Sequence, residues 1–199
     1  MEREAYNLVD DYRAHRDDYR EHMNYPPRLF LIMRSLPGSG KSTFALEVAR
    51  YADQFGLSTL ICSADKFFQR GVTYVFDQNR LHEAHETCYT QCREALERRL
   101  DRGVDIVIVD NTNLRPHELK RYLDLQIRSD KLAVALFECP RGPAEATILL
   151  GCANAVGHGI SGPTFMEYYE ICRRVFHTRL HHLCSHDYVI KLDEFMRDR

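Results

Sequence analysis

The chain is 199 residues long, 44% hydrophobic and 28% charged, ordinary values for one globular unit with enough residues to bury a core. A net charge of −2 excludes a global basic field, so any contact with nucleic acid has to be local. No apolar run is long enough to span a bilayer and no leader pattern stands at the start, so no membrane role is expected; seven cysteines without framework spacing predict reduced thiols in a cytoplasmic or nuclear setting.

Residues 1–27 read as a charged helical segment distinct from a domain at 28–199. Seven acids against four arginines leave that segment at −3 and the remainder at +1. Asp10 to Arg16 and Asp17 to Met23 form an imperfect seven-residue repeat. On a helix, Leu8, Tyr12, His15, Tyr19 and His22 share one face. That stripe is too short and too polar for a coiled coil. It predicts an appendage helix that packs tyrosines on the domain, the alternative being a helix that docks a protein partner. Tyr25-Pro26-Pro27 ends it.

An apolar run, Leu29 to Met33, leads into Ser35-Leu36-Pro37-Gly38-Ser39-Gly40-Lys41-Ser42-Thr43 and then a helical pattern to about Phe55. Strand, glycine turn and helix form the context of a phosphate-binding loop. The loop amides and the first helical turn point at an anion, Lys41 reaches phosphate oxygens, and Ser42 ligates Mg²⁺. Ser35 stands where the pattern has its first glycine. These residues predict nucleotide binding.

Leu57 to Cys62 reads as a buried strand, and Ser63-Ala64-Asp65 follows at its carboxyl end, the edge of an open α/β sheet where ligands bind. A carboxylate there can take a proton from an incoming hydroxyl; an N-cap or an Mg²⁺-associated carboxylate are the alternatives. Residues 69–79 read as loop, with Tyr74, Phe76 and Asp77 as anchors. A strongly helical stretch follows from Arg80 to Arg102. In it His85, Cys88 and Cys92 are placed on a packed helix face rather than around a metal ion.

Val104 to Val109 is the next strand, and it delivers Asp110-Asn111-Thr112-Asn113 at its end. In a phosphate-loop protein an apolar strand ending in Asp is the place for the Mg²⁺-water carboxylate. A helix from about His117 to Arg128, a strand from Leu132 to Phe137 and a short helix from Pro143 to Leu150 come next. Gly151 to Gly162, with four glycines, reads as a mobile loop. A helix from Pro163 to about His182 and a fifth strand, Tyr188 to Leu192, complete the pattern. His177, His181, His182, Cys184 and His186 read as surface and helix-end residues. The alternation predicts an α/β fold, a parallel sheet covered on both faces.

Leu36 to Thr43, Ser63-Ala64-Asp65, Tyr74-Val75-Phe76-Asp77, Ala84-His85-Glu86 and Val109 to Asn113 recur in this order in a known family. The chain resembles the P-loop polynucleotide kinase group, which includes the phage 5′-hydroxyl kinases and the eukaryotic Nedd-four-binding-protein-like kinases. The amino-terminal domain of the myelin cyclic-nucleotide phosphodiesterase is a more distant relative. The likeness covers about residues 28 to 140 well and 141 to 180 loosely. It implies a P-loop kinase fold with a five-stranded parallel sheet flanked by helices, ATP and Mg²⁺ as cofactors, and transfer of the γ-phosphate to a 5′-hydroxyl end of RNA or DNA. By the same resemblance Asp65 is the general base, and Lys41 and Ser42 make the phosphate and Mg²⁺ contacts. Asp110, Asn111 and Asn113 then line the nucleotide site.

Three positions depart from the family pattern. Phe68 stands where the phage enzymes carry an acceptor-holding arginine, and Lys66 replaces the second acid of an Asp-Asp pair. In the family's lid, at about 151–162 here, Ala153 occupies the expected arginine place, and no Lys or Arg lies between Arg141 and Arg173. A transition-state arginine contributes ~10³–10⁵ in rate. The alternative function is therefore a catalytically weak nucleotide-binding adaptor that docks a protein partner. For an active kinase, Lys66, Arg70 and Arg80 with Phe67, Phe68 and Tyr74 are the candidate groove for an acceptor base.

Overall fold

The structure, a computed structural model, describes residues 1–22, 27–71, 73–97, 103–125, 131–137, 139–155, 157, 159–176 and 188–192. The histidine cluster from His177 to His186, His158, and Tyr25-Pro26 lie outside the described residues.

Five strands make one parallel sheet: β1 (Leu29–Arg34), β2 (Thr59–Cys62), β5 (Ile106–Val109), β6 (Lys131–Phe137) and β7 (Tyr188–Leu192), in the order β2-β5-β1-β6-β7. The fold is the expected α/β P-loop kinase-like one. Leu29 pairs with Ile106 on one side and Lys131 on the other, so β1 runs through the middle. A two-strand ribbon, β3 (Gln69–Arg70) with β4 (Thr73–Tyr74), forms inside the stretch expected to be loop. From β2 the chain returns inward to β5, then crosses β1 to reach β6. That reversal of direction sets a crevice at the carboxyl ends of the central strands.

The alternating side chains of β1 divide the core into two layers. Leu29, Leu31 and Met33 face helices α1 (Glu2–His22) and α2 (Lys41–Asp53). Phe30 and Ile32 face α3 (Leu81–Glu97) and α4 (Pro116–Leu123). Helix α1 forms as the sequence predicts, yet it is built into the first layer. Ala5, Leu8, Val9 and Tyr12 are buried there against Phe44, Val48 and Ala52. Of the predicted stripe, Leu8 and Tyr12 are used in this way and His15 is half-buried, while the side chains of Tyr19 and His22 lie outside the described ones. The Tyr12 hydroxyl lies 3.0 Å from the Pro27 carbonyl and 3.1 Å from that of Asp105, and Arg16 pairs with the Asp105 carboxylate at 2.8 Å. The helix is thereby fastened to the amino ends of the strands, away from the crevice.

A third cluster caps the opposite end. Helices α5 (Pro143–Ala155) and α6 (Gly162–Phe176) bring Ala146, Leu149, Phe165, Tyr169 and Cys172 onto Leu36 and Leu114. Helix α5 runs five residues beyond Leu150, so the first part of the stretch read as a mobile loop is helical.

Candidate active site

The phosphate loop leaves β1 after Arg34 and enters α2 at Lys41. Its backbone turns with positive φ at Gly38 (+78°) and Gly40 (+90°), conformations that L side chains resist. Gly38 has a second reason to lack a side chain. A Cβ there would lie 2.2 Å from the Leu149 carbonyl oxygen and 2.9 Å from the Ala153 nitrogen, both backbone atoms of α5. Leu36 and Pro37 are buried, the former in the cap cluster, while Ser42 and Thr43 are exposed on the first turn of α2.

Lys41 is buried, and its ammonium donates to the loop's own carbonyls, Leu36 O at 2.6 Å and Ser35 O at 3.4 Å. Burial pulls its pKa down to about 8, against the opposing pull of Asp110 and Asp65. Asp110, at the carboxyl end of β5, is also buried, and burial pushes its carboxyl up. Attraction to Lys41 and a hydrogen bond from the Ser42 hydroxyl act in the other direction. The four predicted groups Lys41, Ser42, Asp110 and Asp65 therefore meet in one electrostatic unit.

Asp65 sits on a single 3₁₀ turn, Ala64–Phe68, that follows β2. Its carboxylate is exposed and accepts a hydrogen bond from the Tyr74 hydroxyl at 3.3 Å. Burial, and then the Asp65 charge, push the Tyr74 phenol well above its ordinary value, so it stays a neutral donor. Asn111 and Asn113 are buried with their side-chain amides engaged by protein groups. Asn111 Oδ1 accepts the Ala64 N–H at 3.0 Å, and Asn113 Nδ2 donates to the Met33 carbonyl at 2.7 Å.

These residues fit a polyphosphate and a hard cation. The buried Oγ atoms of Ser35 and Ser39 have no hydrogen-bond partner among the described residues. The first amides of α2 have no intrahelical acceptor, and Ser42 with Asp110 supplies the oxygen donors that Mg²⁺ prefers.

The acceptor-side expectations need revision at two residues. Phe68 is 4% exposed and serves as core beneath Phe67, Tyr74 and Phe76, because the 3₁₀ turn directs it inward. Lys66 turns back, its ammonium donating to Ile61 O at 2.6 Å. The open ring is Phe76, 48% exposed beside Val75 at 51%. Arg80 stacks 4.5 Å above Phe67 while paired with Glu83. Ala153 is fully buried on α5 with its backbone nitrogen facing Gly38, so the place expected for a lid arginine is a buried position on a helix packed against the phosphate loop. Cys88 and Cys92 lie in the second core layer, the packed helix face the sequence predicts. Tyr122, which sequence reasoning missed, hydrogen-bonds Asn111 from α4; an aromatic on a helix's apolar face carries no signal of that partner.

A family model described as AAA domain matches residues 30–146. The chain belongs to the AAA domain family. Among its relatives, human (Homo sapiens) NEDD4-binding protein 2 is 36% identical over 106 residues, which is 53% of this chain and 6% of that protein. The AAA domain chain thus spans a small fraction of that relative's length. Two solved structures share the fold. The PezAT chromosomal toxin-antitoxin system of Streptococcus pneumoniae has a TM-score of 0.52 and 14% identity, covering 98% of this chain and 79% of that one. Chaetomium thermophilum Kti12 in complex with ADP-AlF3 has a TM-score of 0.50 and 12% identity, covering 83% and 89%.

Proposed function

We propose that the protein is an ATP- and Mg²⁺-dependent phosphotransferase that acts on the 5′-hydroxyl end of RNA or DNA. The observation that carries the reading is the placement of Asp65. It is an exposed carboxylate held by Tyr74 just after the carboxyl end of β2, near enough to Lys41 and Asp110 to act on their charges. A protein that only binds nucleotide needs no proton acceptor there. ATP supplies the phosphoryl group and Mg²⁺ neutralises its charge, with Ser42 and Asp110 as the cation's protein contacts. Lys41 holds the polyphosphate against the loop amides. Asp65 takes the proton of the acceptor hydroxyl as that oxygen attacks phosphorus and the bond to the leaving diphosphate breaks.

The test is transfer of γ-labelled phosphate from ATP to 5′-hydroxyl RNA and DNA oligonucleotides with Mg²⁺, comparing wild type with Asp65→Asn and Lys41→Ala. Labelled ends with wild type and none with Asp65→Asn uphold the reading. The adaptor reading draws on Ala153, which leaves the expected arginine place without a cation. Tight ATP binding with no transfer to any 5′-hydroxyl end favours it. Docking of a protein partner would then involve residues 1–27 through their solvent side, since the apolar side of α1 is spent on the core.

A further inference from the structure

The segment Asp110–Asn113 is bonded to both halves of the site at once. Toward Asp65, the Asp110 N–H donates to Cys62 O at 2.8 Å, and Asn111 Oδ1 accepts the N–H of Ala64 at 3.0 Å. Ala64 opens the turn that carries Asp65. Asn111 is itself held, since its Nδ2 donates to the Tyr122 hydroxyl at 3.2 Å and to Cys88 Sγ at 3.3 Å. Toward the phosphate loop, Asn113 Nδ2 donates to Met33 O at 2.7 Å, and the Ser35 N–H donates to Thr112 O at 3.0 Å. Met33 and Ser35 flank the last residue of β1, so both bonds grip the root of the loop. Asn113 holds φ at +46°, the left-handed region that asparagine tolerates better than most side chains.

We propose that Asn111 and Asn113 are positioning residues for different halves of the site: Asn111 fixes the Asp65 turn, and Asn113 fixes the root of the phosphate loop. The inference rests on the reading of Asp65 as proton acceptor. Both residues are buried; protein groups bond both amide atoms of Asn111 and the Nδ2 of Asn113, and through these bonds each holds a stretch of backbone. Two arms of one four-residue segment thereby set the distance between the group that takes the proton and the groups that hold the phosphate. Displacing a reacting group by ~1 Å costs on the order of 10² in rate.

The experiment pairs steady-state transfer with ATP titration and amide hydrogen exchange on the full chain. Asn111→Ala is expected to lower kcat roughly 10²-fold with ATP affinity changed by less than about twofold. Asn113→Ala is expected to weaken ATP binding about tenfold, the cost of one lost buried hydrogen bond. Exchange of the Ala64 amide should accelerate in Asn111→Ala and that of Ser35 in Asn113→Ala, each leaving the other unchanged. Tyr122→Phe removes only the hydroxyl that orients Asn111 and should repeat the Asn111 pattern at smaller size, which keeps the test intact if Asn111→Ala does not fold. Equal changes of kcat and ATP affinity in both Asn variants, or an Ala64 amide as protected in Asn111→Ala as in wild type, overturn the proposal. If wild type transfers no phosphate to any oligonucleotide, the functional reading falls, and the exchange pattern alone upholds or overturns the two-armed clasp.

Discussion

The two halves of the site are built in opposite ways. The phosphate loop is closed: Lys41 is buried and bonded to loop carbonyls, Leu36 sits under the α5–α6 cap, and Gly38 touches α5 backbone. The Asp65 side is open. Its carboxylate is exposed, its partner Tyr74 comes from a short ribbon, and Val75 and Phe76 present about half their surface to solvent. A closed half suits a constant ligand such as a polyphosphate, for which backbone amides and one cation suffice. An open half suits a variable ligand, for which one carboxylate does the chemistry and exposed rings select.

The sharpest way to break this comparison is Asp65→Asn. Loss of a general base costs about 10²–10⁴ in kcat, and ATP affinity should stay as in wild type; equal loss of both would mean that Asp65 belongs to the nucleotide half. Gly38→Ala attacks the closed half. A Cβ pressed on two α5 backbone atoms, at a positive φ, should cost about 2–4 kcal/mol of stability in denaturant unfolding. Gly56→Ala, also at positive φ but with nothing within 4 Å, should cost only about 1 kcal/mol.

The third test uses pH. Without nucleotide the Lys41 pKa lies at about 8, and a bound polyanion raises it, so binding at higher pH must take up a proton. ATP affinity should therefore be full below about pH 8 and fall as pH rises beyond it, by up to about tenfold per unit, with the slope lost in Lys41→Ala. The smallest effect is expected from Phe76→Ala. Base stacking contributes about 1–3 kcal/mol, so the KM for an oligonucleotide should rise several-fold to tenfold or more while ATP affinity holds.

The phosphate loop was readable in the sequence because its chemistry is local: consecutive residues, two glycines and a lysine between a strand and a helix. Asp65 and Asp110 were readable because each follows an apolar run, and strand ends in a parallel sheet gather at one edge. Contacts made at long sequence separation were not. Nothing near Asn111 indicates that its amide holds Ala64, 47 positions earlier, or near Asn113 that it holds Met33, 80 positions earlier. The first helix was legible in part: Leu8 and Tyr12 were placed on its packing face, but Ala5 and Val9, which complete that face at i, i+3, i+4, i+7 spacing and close the core layer, were not. At Ala153 the sequence showed a missing arginine; the fold shows a fully buried helix position whose backbone faces Gly38.

The contact between Gly38 and α5 involves main chain on both sides, carbonyl and amide of the helix against the α-carbon of the loop. No side-chain deletion can loosen such a bearing, and it has no rotamer to absorb movement. The room left for the loop at Gly38 is therefore set by where α5 lies, and α5 is held there by the apolar cap it shares with α6.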